Sequence, residues 1–256
     1  MARIKLGSRK EMADPEFARS VLTELLLTFL FVFVGVAASM TAGKMAGGQD
    51  SIMGLTAVAV AQAMLVAVMV AVGLDVSAGH LNPAVTIGFA VGGYVTIFRC
   101  VLYVIVQLLG SSMACLLLQY IAGGQQAVPV HALGAGIGPL QGAIMEVVLT
   151  FSMVFSIYAI IVDPKKGIVS VLAPLLIGLI VGANTLAGGP FSGASMNPAR
   201  SFGPALATWD WTNHWVYWAG PFVGSGLAGF VYDHLYLMRP RDDLPGDEES
   251  ITKPLC

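Results

Sequence analysis

The chain has 256 residues, of which 56% are hydrophobic and only 11% charged, with a formal net charge of -2 and a mean hydropathy of +0.78. Ordinary soluble domains carry roughly 25% charged residues, so this composition describes an integral membrane protein. It leaves no basic surplus for nucleic acid, and its three cysteines (Cys100, Cys115, Cys256) form neither a disulfide framework nor a metal-ligand spacing.

A helix crosses hydrocarbon with about 20 mainly apolar residues. Six stretches meet that length approximately: 20–42, 54–74, 97–122, 139–162, 169–188 and 214–237. The first follows a basic segment and is too long for a cleaved leader, so it reads as a retained anchor. Two apolar pieces, 83–93 and 198–207, have about half the crossing length and read as re-entrant half-helices. Domain bounds follow: a tail at 1–19, one channel-like domain at 20–238, and a tail at 239–256. With six spans both tails share a side. That side collects Arg3, Lys5, Arg9, Lys10, Arg19, Arg99, Lys165, Lys166, Arg239, Arg241 and Lys253, against Lys44 opposite, which places both tails in the cytosol.

The chain repeats itself. "ELLLTFLFVF" from Glu24 returns as "EVVLTFSMVF" from Glu146, and "YVIVQLLGSSMA" from Tyr103 as "YWAGPFVGSGLA" from Tyr217. Each half, about 20–122 and 139–237, has three spans and one half-helix. Three is odd, so the second copy must be inverted, and such repeats carry their pathway near the midplane. The expected fold class is an all-α membrane protein of six transmembrane helices plus two re-entrant half-helices.

Each half-helix opens on Asn-Pro-Ala: Asn82, Pro83 and Ala84 in "SAGHLNPAV", Asn197, Pro198 and Ala199 in "SGASMNPARSFGPA". Asn is a favoured N-cap, and proline at the first helical position gives up an N–H with no partner to lose. The prolines therefore start short helices. Inversion brings the two N-termini together, each with about half a positive elementary charge. A cation meets positive potential there, while a water oxygen can accept from both Asn amides. The carbonyls of Gly79 and His80, and of Gly193, Ala194 and Ser195, would replace hydration along the two arms.

Other polar residues admit two readings each. Arg200 is a charge at membrane depth; it either donates to passing solutes and repels cations, or is tied to backbone carbonyls. Glu24 and Glu146 suggest a proton relay singly, but their duplication favours a structural role, accepting from amides of the re-entrant loops. His80 either anchors its loop or senses pH. Gln62 needs partners or pore water, and His131 is either solvated or part of a filter.

These motifs resemble the aquaporin (major intrinsic protein) family from Glu24 to about Tyr236. "DPKKG", "GLIVGANTLAGGPFSG" and "AVPVHALGAG" make the chain similar, within the family, to plant tonoplast intrinsic proteins. The resemblance implies a passive water channel of the vacuolar membrane. It also implies a homotetramer, or a heterotetramer with paralogues, with one pore per protomer and no cofactor, metal or catalysis. The implied filter positions are Gln62, Thr185, Ala194 and Arg200, joined by His131. Many of those relatives have His in place of Gln62 and a β-branched aliphatic in place of Thr185. The small, polar set here implies a permissive filter that also passes urea, glycerol, hydrogen peroxide or ammonia. The alternatives are a channel mainly for small solutes and a coupled secondary transporter. Cys115 is the candidate for mercury sensitivity.

Overall fold

A computed structural model describes residues 5–45, 51–124, 127–163 and 171–237. Nine helices are assigned within them, and no strand: α1 (Arg9–Ala13), α2 (Pro15–Met45), α3 (Ile52–Ser77), α4 (Pro83–Val91), α5 (Ile97–Ile121), α6 (Pro139–Ile157), α7 (Ala173–Ser192), α8 (Pro198–Thr208) and α9 (Val216–Leu235). The end of α6 widens into a π turn over Tyr158–Val162. Residues 1–4 and 238–256 of the two tails, and residues 164–170 with the "PKKG" of "DPKKG", lie outside the described residues.

Local chemistry sets the helix starts. Ser51 and Thr96 accept from Gly54 N and Arg99 N at 3.0 and 3.1 Å, capping α3 and α5. Among the described residues α2, α3, α5, α6 with its π turn, and α7 are long and apolar enough to cross a bilayer. The remaining predicted span, α9, has 20 residues and so reaches about 30 Å. Its apolar character is diluted by Gly220, Gly224, Gly226 and Gly229. Observed bounds run beyond the apolar stretches where polar residues continue a helix: α2 begins at Pro15, and α7 ends at Ser192.

The halves interlock. α4 packs on α9 of the second half, and α8 on α5 of the first. Ser225 Oγ donates to the carbonyl of Ala84 and Ser111 Oγ to that of Ala199. A Cβ on Gly88 would collide with Ser225 Oγ, and one on Gly203 with Ser111 Oγ. Glycine at those two places lets each half-helix approach its host closely. The apolar core runs between the halves, from Leu27, Phe31 and Val32 through Val85 and Phe89 to Leu149, Met153 and Val154.

Candidate pore and filter

Two loops, 78–82 after α3 and 193–197 after α7, carry the site. Both turn by left-handed backbone at matching positions: Ala78, Gly79 and Leu81 (φ 66, 60 and 57°), and Gly193, Ala194 and Met196 (φ 80, 50 and 53°). Non-glycine residues held there cost of order 1–3 kcal/mol each. Buried carboxylates hold them. Glu24 accepts from Ser77 Oγ, His80 N, Leu81 N and Gln107 Nε2 at 2.7–2.8 Å. Glu146 accepts from Ser192 Oγ, Ser195 N and Met196 N at 2.7, 2.8 and 2.7 Å. Both side chains are fully buried, and every one of these contacts uses the oxygens as acceptors.

Where the two loops meet, Asn82 Oδ1 caps α4 by accepting from Ala84 N at 2.8 Å, and Asn197 Oδ1 caps α8 by accepting from Ala199 N and Arg200 N at 2.9 and 3.2 Å. The amides then cross the repeat: Asn82 Nδ2 donates to Met196 O at 2.8 Å, Asn197 Nδ2 to Leu81 O at 2.9 Å. Each carboxamide has two N–H donors, so one per Asn remains for the lumen. His80 Nδ1 lies 3.0 Å from Thr86 Oγ1, which itself donates to Asn82 O at 3.0 Å.

The two Asn line a cavity of about 60 Å³, room for a short file of water. Its wall is aliphatic and aromatic, with Phe31, Val66, Val70, Val85, Ile177 and Val181, and its polar points include Gln62, Gly79, His80, Thr185, Ser195 and Arg200. Gln62 is 1% exposed and neither of its amide atoms has a hydrogen-bond partner among the described residues. Thr185 is otherwise engaged, donating to Val181 O at 2.8 Å.

At one end Arg200 Nη1 donates to Ala194 O at 3.0 Å and reaches His131 Nε2 at 2.6 Å. Arginine only donates, so Nε2 accepts, the ring proton sits on Nδ1, and Nδ1 donates to Ser201 Oγ at 3.0 Å. Ser201 pairs with Ser195 Oγ, which donates to Asn197 O at 2.9 Å. A polar chain thus runs from His131 to the capping Asn197. His131 and Arg200 stand between the inner cavity and an outer recess of about 360 Å³ whose wall includes His131–Gly134, Asp210, Thr212 and Asn213. Gly193 faces the His131 ring, where a Cβ would come within 3.0 Å of Cδ2. The carbonyl of Ala194 accepts from Arg200 and keeps its second lone pair.

Ser111, Ser225, Gln107 and Asn184 were not singled out in the sequence. Only the first two had a signal, since the repeat aligns Ser111 with Ser225.

Two half-helices meeting end to end around a lumen, inside an inverted-repeat helical bundle, define a channel-type membrane protein. Residues 11–232 match the family described as Major intrinsic protein, and the chain belongs to that family, the aquaporins. It is 58% identical over 250 residues to aquaporin TIP4-4 of Zea mays, covering 95% of this chain and 99% of that one. It is 52% identical over 251 residues to aquaporin TIP4-1 of Arabidopsis thaliana, covering 98% and 99%. An X-ray structure of the aquaglyceroporin from Plasmodium falciparum superimposes with a TM-score of 0.76 at 22% identity, covering 86% of this chain and 96% of that one. That likeness speaks for the fold.

Proposed function

We propose that the protein is a passive water channel of the vacuolar membrane, assembled as a tetramer with both tails in the cytosol. The observation that carries this reading is the pair of Asn carboxamides at the meeting point of α4 and α8, each with one N–H left for the lumen. A water oxygen accepts from both, its hydrogens point outward, and the two helix N-termini oppose a cation or a continuous proton wire. Arg200 and His131 form the filter at the outer mouth. The names of the relatives support both water as the main solute and the tonoplast as the site.

The unpartnered amide of Gln62 and the small Thr185 and Ala194 favour a constriction that also admits urea, glycerol, hydrogen peroxide or ammonia. Coupled transport is disfavoured, because the two carboxylates it would use are filled by loop donors. Stopped-flow osmotic shrinkage of proteoliposomes tests the proposal. Water efflux faster than from empty liposomes, independent of any ion gradient, is the expected result; no acceleration would overturn it.

A further inference from the structure

Met196 is the residue before the capping Asn197, it lines the cavity, and its backbone is left-handed. Three different elements hold it. Its N–H donates to Glu146 of α6 and its carbonyl accepts from Asn82 of the opposite loop. Its thioether is the third point: Asn184 Nδ2, on α7, lies 3.3 Å from Sδ. Asn184 is buried at 7% exposure. Its carboxamide is itself fixed by α6: one Nδ2 hydrogen goes to Leu149 O at 2.9 Å, Oδ1 accepts from the Ser152 hydroxyl at 3.1 Å, and the second Nδ2 hydrogen is left for Sδ. The first half has no equivalent. The register that aligns Ser77 with Ser192 puts Met69 opposite Asn184, and Leu81, with no polar atom to hold, opposite Met196.

We propose that Asn184, oriented by Ser152, is a positioning residue that pins the Met196 side chain against the pore wall and so keeps the lumen open beside Asn197. A thioether has three rotatable bonds and fills whatever gap is offered. Without the amide, Met196 has rotamers that lie across the file of water. The inference rests on the water-channel reading and names a further determinant of conduction within it.

The test is a double-mutant cycle in proteoliposomes. A neutral hydrogen bond contributes about 1 kcal/mol, roughly fivefold in the ratio of held to released side chain. Asn184→Leu should therefore lower water permeability per reconstituted channel by about two- to fivefold, with circular dichroism and detergent melting close to wild type. Met196→Leu, which removes the acceptor while leaving Asn184 in place, should make Asn184→Leu silent. Ser152→Ala should give a smaller loss of the same sign. Unchanged permeability in Asn184→Leu overturns the inference, and so does an equal loss in the Met196→Leu background, which would mark a merely structural Asn. If Asn184→Leu fails to fold, Ser152→Ala compared in the Met196 and Met196→Leu backgrounds decides by the same logic. Wild-type protein no faster than empty liposomes would instead refute the water-channel reading.

Discussion

In the first half Glu24 gathers Ser77, His80, Leu81 and Gln107. In the second Glu146 gathers Ser192, Ser195 and Met196, and proline stands at 221 where the repeat has Gln107. The capping Asn, the crossing amides and the Ser-to-carbonyl bonds that seat each half-helix recur in both halves. Of what does not recur, Arg200 against Val85 and the His131 loop lie together at one end of the cavity, Asn184 against Met69 lies beside the cavity wall at Met196, and Gln107 against proline lies on the first carboxylate. The paired features surround the cavity where the two loops meet, and in the proposed channel the unpaired ones act on what enters it.

The largest expected effect comes from removing a loop-holding carboxylate. An orphaned buried donor costs about 1–3 kcal/mol, so Glu24→Leu and Glu146→Leu should abolish recovery of folded protein. Glutamine variants separate the halves. Glu24→Gln disturbs four donors and Glu146→Gln three, so the first should melt at the lower temperature in detergent. The reverse order would show that the halves are not held in the same way.

Next in size is the close approach of half-helix to host. Gly203→Ala and Gly88→Ala each push a methyl group into a serine hydroxyl, with an overpacking cost of about 1–3 kcal/mol. Gly203→Ala should cost more, since at that site the Cβ also meets the backbone of Ser111. Thermal melts of the two variants check the order.

The smallest effect concerns pH. His131 lies in the α5–α6 loop, outside the spanning helices. Burial first, then the Arg200 charge and His214, hold its imidazole well below the ordinary 6.5. The folded-state value is the depressed one, so the stability from the neutral ring is complete above 6.5 and declines as pH falls from there towards the folded value. Water permeability should stay flat as pH is lowered through 6.5. A step centred at 6.5 would mean that the ring titrates as a solvated histidine, and that the Arg200–His131 contact does not persist in the membrane.

Much of this arrangement could be read from residue order. Periodic apolar length marks six spans, two Asn-Pro-Ala starts mark the half-helices, and an odd number of spans per half requires inversion. Asn82 and Asn197 as caps follow from the chemistry of helix starts. Their crossing bonds to Met196 O and Leu81 O did not follow, because backbone acceptors carry no side-chain signature. Asn184 was hidden for a related reason: its partners sit 12, 32 and 35 residues away, as a sulfur, a hydroxyl and a carbonyl. The bond from the Arg200 guanidinium to the carbonyl of Ala194 was one of the two readings open to that arginine, and it is present. Helix ends moved where residues such as Phe17 and Arg19 extend α2 ahead of the stretch that begins at residue 20.

The most direct test makes the second half like the first. Arg200→Val should leave water flux through proteoliposomes at or above the wild-type rate, while urea and glycerol flux and cation leak rise. Loss of water flux with no added solute or ion passage would contradict the division between a paired lumen and an unpaired filter.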